Sequence, residues 1–137
     1  MAFDAAGHRV AAGYSDSSPG RMAALTVYVL STSDGPPPSD AEREQLFQTS
    51  RHEVLAAHPG SEDLGLSTIA GHDSGGSLNE FRYQAAFAGS QQEVTSFLAV
   101  FRDGDCLIKY RITGLEAERD QVYRHLIQAI HALSKIN

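Results

Sequence analysis

The chain is poor in the residues that stabilise very small proteins or bind metal. It has a single cysteine, Cys106, among 137 residues. One cysteine excludes an intrachain disulfide and a zinc site built from cysteines. A chain of this length needs neither, because it can bury roughly two-thirds of the surface that its unfolded form exposes. We therefore predict one domain that spans residues 1–137.

The chain also lacks a long apolar run and an excess of basic charge. Its longest clean apolar stretch, AALTVYVL, is too short to span a bilayer, and the N-terminal MAFDAAGHRV has no signal-peptide pattern. Eleven Lys and Arg against seventeen Asp and Glu give a net charge of −6. That balance argues against binding to nucleic acid or to an anionic membrane surface. We expect a soluble protein, either cytoplasmic or the mature form of an exported one, whose compartment and oligomeric state stay undetermined.

No catalytic or metal-binding signature is present. His52 and His58 lie six residues apart, as do His125 and His131, and this spacing points each pair in different directions on a helix. Gly75-Gly76 is not followed by the Gly-Lys-Ser/Thr and helix of a phosphate-binding loop. There is no Gly-x-Ser-x-Gly elbow and no clear pair of carboxylates. The sequence therefore indicates no catalytic set, no metal and no cofactor.

The patterns that are present predict an antiparallel α+β domain with about six strands, in the order β-β-α-β-β-β-β-α. Helices are then left to cover the sheet. The strand segments are rich in β-branched and aromatic residues. They read HRVAAGYSD, MAALTVYVL, LGLSTIAG, EFRYQAAFA, EVTSFLAVFR and DCLIKYRIT.

Two helices are predicted from their boundary signals. Ser39 followed by Glu42 is the pattern of a capping box, and Pro59-Gly60 ends the helix that it begins. Thr113 and Glu116 have the same spacing ahead of LEAERDQVYRHLIQAIHALSK. Apolar residues recur there at helical spacing. They are Val122, Leu126, Ala129, Ile130 and Leu133.

The Asp103-Gly104 pair predicts a tight turn that sets the register of the last two strands. Pairing across this turn places Phe101 opposite Cys106. Lys109 and Arg111 are two residues apart and share one face of the last strand, while the Tyr110 ring lies on the other. One side of the sheet is then strongly apolar, and the other side carries basic residues.

The preceding turn, around Gly89-Ser90-Gln91, decides where a third cation lies. A loop with an odd number of residues gathers Phe81 and Tyr83 with the other aromatics and places Arg82 opposite Leu98. An even loop turns the whole strand over, because side chains alternate strictly. We predict the odd loop. It brings Arg82, Lys109 and Arg111 to one face of the sheet as a candidate ligand-binding site.

Two interpretations of these cations remain open. In the first they form an anion-binding surface. In the second they lie on a solvated or helix-covered face, where they pair with acids such as Glu42, Glu44 or Glu53. Cys106 likewise has two interpretations. It is a nucleophile with His72 or His125 as its base, or a thiol on the apolar face that burial makes inert.

The segments LTVYVL and VFRDGDCLIKYRITGLEAERD resemble the PsbP-like superfamily. The strand that ends in Tyr110-Arg111-Ile112-Thr113 and leads into the last helix carries most of this resemblance. The superfamily includes an extrinsic subunit of photosystem II, a Ran-binding nuclear-import factor and many small bacterial proteins. The resemblance implies an antiparallel sheet with helices on both sides and an accessory or binding role, without a shared catalytic set.

The leading hypothesis is a small non-catalytic accessory or binding domain for a protein partner or an anionic small molecule. The first alternative is a small hydrolase or isomerase with a pocket between sheet and helix, suggested by Cys106, Tyr83 and the histidines. The second is a structural subunit of a larger assembly, which an exposed apolar patch would favour.

Overall fold

The order of strands and helices along the chain is close to the predicted order. The computed structural model describes residues 2–3, 9–18, 21–31, 37–72, 75–87, 89–104 and 106–134. The N-terminal segment without a signal-peptide pattern lies partly outside these residues. The strands are β1 (Ala2–Phe3), β2 (Arg9–Ser18), β3 (Arg21–Ser31), β4 (Glu62–Ile69), β5 (Gly76–Phe87), β6 (Ser90–Asp103) and β7 (Cys106–Leu115). The helices are α1 (Asp40–Ala57) and α2 (Arg119–Ser134), and a 3₁₀ turn over Glu116–Glu118 precedes α2.

The strands form one antiparallel sheet in the order β1-β2-β3-β7-β6-β5-β4. The predicted antiparallel α+β fold is therefore confirmed. Among the described residues the sheet has seven strands rather than about six, because the two-residue β1 pairs with β2. Neither helix in the described part of the chain is both long and apolar enough to cross a membrane.

The helices lie on opposite sides of the sheet, and each buries a different core. On the α2 face, the apolar stripe of α2 packs against inward-pointing residues of several strands. On the α1 face, a smaller cluster includes Phe47 and Val54 of the helix. Strand β6 lies between the two helices, and every residue from 94 to 101 is buried. Its nearly continuous apolar sequence follows from this cover on both faces.

The β6–β7 turn keeps the predicted faces but not the predicted pairing. Asp103 pairs with Cys106 and Phe101 with Ile108, so the predicted Phe101–Cys106 pair is wrong by two residues. Gly104 has φ of +56°, which glycine adopts without steric cost, and β6 extends to Asp103 before the turn begins. Residue 105 lies outside the described residues. Because a shift of two preserves the alternation, β7 still points Tyr110 to the α2 face.

The β5–β6 turn contradicts the predicted odd loop. Phe87 pairs with Ser90, and Gly89 between them has φ of +87°. This tight turn places β5 the other way up, so that Phe81 and Tyr83 pack on the α1 face. The prediction assumed that all aromatic residues belong to one core. It is wrong because α1 also needs an apolar floor to cover.

The first predicted capping box is confirmed. The Ser39 Oγ accepts a hydrogen bond of 3.2 Å from the Glu42 N–H, and the Ser39 N–H donates one of 3.2 Å to the Glu42 carboxylate. These two bonds satisfy donors that the first turn of a helix leaves unpaired. Helix α1 ends at Ala57, just before the predicted Pro59-Gly60 stop.

The second predicted capping box is wrong. Thr113 belongs to β7, and its Oγ1 lies 2.9 Å from the Ser96 Oγ. Helix α2 begins only at Arg119, whose guanidinium donates two hydrogen bonds of 2.6 and 2.7 Å to the Glu80 carboxylate. This bidentate pair fixes the start of α2 on the sheet, which a local sequence pattern cannot reveal.

Candidate anion-binding site

The structure separates the three cations that the sequence brings to one face. Lys109 and Arg111 lie on the α1 face of β7, as predicted. Arg82 lies on the α2 face of β5, because β5 is inverted relative to the prediction. Its guanidinium is 3.6 Å from the Glu62 carboxylate and 3.7 Å from that of Glu116. The predicted convergence of all three is therefore wrong for Arg82, which already has acidic neighbours.

A cavity of about 250 Å³ lies between the C-terminal half of α1 and the sheet. Both remaining cations, Lys109 and Arg111, line it. The polar part of its wall also includes Thr26, Tyr28, Ser50 and Glu53, and the apolar part consists of Val54, Ala57 and Leu98. The strands supply the floor and α1 supplies the cover, so the cavity is an outcome of how the helix crosses the sheet.

Arg111 is held in place by uncharged hydroxyl groups. Its Nε donates to the Ser96 Oγ at 2.6 Å, and its Nη2 donates to the Tyr83 Oη at 3.1 Å. Ser96 is in turn within 2.9 Å of the Thr113 hydroxyl. Among the described residues, Arg111 forms no ion pair with a carboxylate. A half-buried positive charge thus has only neutral partners.

The hydrogen bonds of Arg111 occupy one edge of its guanidinium. A guanidinium has five N–H donors in a planar fork, and it can bind a carboxylate through two of them at once. Nε and one N–H of Nη2 serve Ser96 and Tyr83. The end of the fork that carries Nη1 makes no hydrogen bond to any described residue. This end is the part of Arg111 that can receive an anion.

Lys109 lies beside Arg111 and packs against an aromatic ring. Tyr28 is its cross-strand partner on β3, and the Lys109 Nζ is 4.8 Å from the centre of the Tyr28 ring. This is the arrangement of a cation–π interaction, which places the ammonium over the ring face. Thr26 is the cross-strand partner of Arg111. The two rows, Tyr28–Lys109 and Thr26–Arg111, therefore make one polar strip along the cavity.

Ser50 adds an unsatisfied hydroxyl to the same cavity. The residue is only 3% exposed, and within the described part of the chain its Oγ has no hydrogen-bond partner. A buried hydroxyl without a partner costs about 1–3 kcal/mol. Sequence reasoning missed Ser50, although a signal was present. Phe47, Ser50 and Val54 have the spacing of one helix face, so Ser50 is a polar residue in an apolar stripe.

His58, at the C-terminal end of α1, was also missed. Its ring stacks on the ring of Tyr83, with centroids 3.8 Å apart and an angle of 16° between the planes. Partial burial lowers the pKa of His58, and the positive charge of Arg111 lowers it further. A neutral imidazole therefore covers the tyrosine whose hydroxyl holds Arg111. No sequence pattern predicts this contact, because it depends on the inverted β5.

Cys106 and its suggested base His72 are not arranged as a nucleophile and its base. The side chain of His72 is fully buried on the α2 face. Its Nδ1 lies 2.6 Å from the Asp103 Oδ2, and its Nε2 lies 2.7 Å from the Tyr110 Oη. Both ring nitrogens are thus already engaged, which argues against His72 as a base for Cys106. Cys106 packs against the α2-face core, on the apolar face that the inert interpretation predicts, but it is half-buried rather than fully buried.

Burial raises the pKa of Tyr110, and the neighbouring Asp103 carboxylate raises it further. The Tyr110 hydroxyl therefore stays protonated and serves as a structural hydrogen-bonding group. Among the described residues, no cluster of three or more histidine, cysteine, aspartate or glutamate side chains is placed to bind a metal ion. The cavity beside Arg111 is the one that contains two of the predicted site residues, Lys109 and Arg111.

No protein-family model matches the sequence, and no curated protein matches it either.

Proposed function

We propose that this protein is a non-catalytic binding domain that takes a small anionic molecule into the cavity between α1 and the sheet. Arg111 is the principal anion-binding residue, and Lys109 and Ser50 assist it. The observation that carries the proposal is the half-buried guanidinium of Arg111, which lines the cavity and whose hydrogen-bond partners among the described residues are hydroxyl groups.

A bound anion would supply the negative charge that Arg111 lacks among the described residues. Moving a cation away from water is costly unless an opposite charge or a full set of hydrogen bonds compensates it. Hydroxyl groups compensate Arg111 only in part. An anion at the free end of the guanidinium would supply both charge and hydrogen bonds. The hydroxyl of Ser50 would gain a partner at the same time, which removes a second cost.

The site is also organised before any ligand arrives. Ser96 and Tyr83 are both buried, and their hydroxyls hold the guanidinium from one edge. A side chain that is already fixed loses little conformational freedom on binding, so more of the interaction appears as affinity. An accessory binding role also agrees with the resemblance of the C-terminal segment to PsbP-like proteins. Membership of that superfamily is part of this proposal.

A titration followed by NMR tests the proposal. The full chain, labelled with ¹⁵N, is titrated with acetate, butyrate, benzoate, phosphate and citrate at constant ionic strength. We expect saturable shifts at the amides of Lys109, Arg111 and Ser50. The variant Arg111→Gln is expected to weaken binding about 10–100-fold, because a hydrogen bond to a charged group contributes about 1.5–3 kcal/mol.

Arg82→Gln is the matched control. It removes the same charge from a guanidinium on the opposite face of the sheet, and it should change the affinity less than twofold. Equal losses in both variants would mean that net charge rather than the cavity attracts the anion. Absence of any saturable shift at the cavity, with all five anions, would overturn the proposed function.

A further inference from the structure

On the basis of the proposed function, we infer that the ligand is a small carboxylic acid with a single negative charge and a short apolar body. The size, the charge balance and the wall of the cavity each support this class over phosphates, nucleotides and polycarboxylates.

The size of the cavity favours a small ligand. Its volume is about 250 Å³. Sites for drug-sized ligands usually have about 300–1,000 Å³. The cavity lies below this range, so an acid with a few carbon atoms matches its size better than a nucleotide or a large cofactor does.

The charges around the cavity favour one negative charge over two. Among the described residues of its wall, Lys109 and Arg111 are cations and Glu53 is an acid. Ala57 is the last residue of α1 and also lines the cavity. The carbonyl end of a helix carries partial negative charge, and the last turn of α1 has no basic residue to offset it. A doubly charged phosphate would meet both Glu53 and this helix end.

The remaining contacts match a planar carboxylate with an apolar tail. The free end of the Arg111 guanidinium is suited to the two oxygens of a carboxylate. In the wall of the cavity, Val54 and Leu98 are buried and apolar, and Ala57 extends this surface. A hydrated inorganic anion gains nothing from such a wall. An alkyl or aryl group gains about fourfold in affinity for each methylene that it buries there.

A comparison of ligands tests this inference separately from the proposed function. Calorimetric titration of the full chain uses acetate, butyrate and benzoate on one side, and phosphate, sulfate and citrate on the other. The two extra methylenes of butyrate should make it about 16-fold tighter than acetate. Phosphate should bind at least tenfold more weakly than butyrate.

Phosphate or citrate that binds at Arg111 as tightly as butyrate would overturn the inference but leave the proposed function intact. Equal affinity for acetate and butyrate would overturn the assignment of the apolar tail, and with it the ligand class. Failure of every anion to bind would overturn the proposed function itself.

One further variant examines the charge argument directly. Glu53→Gln removes the acid from the cavity wall, so it should raise the affinity for phosphate at least threefold more than that for butyrate. Glu93→Gln, an exposed residue of β6, is the matched control and should leave the ratio unchanged. If Glu53→Gln leaves the ratio of the two affinities unchanged, the single-charge argument is wrong.

Discussion

Helix α2 covers its face of the sheet with the fully apolar row Val122, Leu126 and Ile130, whereas α1 covers the other face with Phe47, Ser50 and Val54. On the α2 face the buried His72 side chain has a partner at each ring nitrogen, and the groove beside Leu25, Val27 and Ala129 is mostly apolar. The α1 face has a cavity, an unsatisfied hydroxyl and a cation without an acidic partner among the described residues. The same strands therefore present the larger apolar core on the α2 side and a cavity lined by polar and charged groups on the α1 side.

Not every polar group on the α1 face is left incomplete. Asn79 is fully buried there, accepts a hydrogen bond from the Arg51 Nε at 3.0 Å and donates one to the Asp63 carboxylate at 2.9 Å. Burial alone would raise the pKa of Asp63. Hydrogen bonds from Asn79, Arg51 and the Gly65 N–H outweigh it and hold the pKa below its usual value. Within the described part of α1, Ser50 in the cavity is thus the buried side chain whose polar atom has no partner.

Truncation of a core residue should distinguish the two faces most strongly. Leu126→Ala, on the α2 face, is expected to lower the free energy of unfolding by about 2–5 kcal/mol, because its side chain is fully buried in a dense core. Leu55→Ala, a half-buried leucine beside the α1-face core, is the control and should lose less than half as much. Urea denaturation measures both. Equal losses would mean that the α2 face is not the better packed of the two.

The hydrogen-bonded histidine of the α2 face provides the next test. Tyr110→Phe removes the hydroxyl next to the His72 Nε2 and leaves a buried polar nitrogen without that partner. The expected loss is about 1–3 kcal/mol in the free energy of unfolding. Anion binding at Arg111 should be unchanged, since Tyr110 points to the opposite face. A loss of binding in this folded variant would contradict the independence of the α1-face cavity from the α2-face core.

Ser50→Ala should have the opposite effect on stability. It removes a buried hydroxyl that lacks a partner, so the ligand-free protein is expected to gain up to about 1 kcal/mol in unfolding free energy. The same change should weaken butyrate binding several-fold. Thermal unfolding with and without butyrate measures both effects. A variant that is destabilised without ligand and unchanged in affinity would show that Ser50 has a structural role.

The smallest expected effect is on the titration of His58. Its pKa is below the ordinary value of 6.5 through burial and the charge of Arg111, so Arg111→Gln should raise it, and Arg82→Gln should not. The neutral form is favoured in the folded state. As pH falls through about 6.5, the unfolded chain therefore binds the proton first, and stability decreases until His58 is protonated in the folded state as well.

NMR titration of the His58 ring measures this pKa in each variant. Bound carboxylate should raise it too, because the anion offsets the charge of Arg111. Identical pKa values in wild type and Arg111→Gln would show that the two groups are not coupled.

Much of the fold could be predicted from the sequence, because most of its signals are local. The element order, the capping box at Ser39 and the faces of Tyr110 and Arg111 depend on residues within a few positions of one another. The start of α2 could not be predicted, since it depends on the pairing of Arg119 with the distant Glu80. The orientation of β5 failed for a related reason. Both faces of this sheet are apolar, so alternation alone does not say which aromatic belongs to which core.

The site was predictable to the same extent. The spacing of Lys109 and Arg111 is enough to place them together, and they do line one cavity. Arg82 was assigned wrongly because its face follows from the β5–β6 turn. His58 and Tyr28 could not be found, since their contacts depend on how α1 and β3 lie over and beside β7. Only the polar position of Ser50 within an apolar helix stripe was visible and overlooked.

The close spacing of Phe87 and Ser90 has an implication for how this gene can change. Loss or gain of one codon at that point would exchange the α1 and α2 faces of β5. Phe81 and Tyr83 would then no longer lie beneath α1. Changes in steps of two would preserve both cores. Point substitutions around the turn should consequently be far better tolerated than single-residue insertions or deletions.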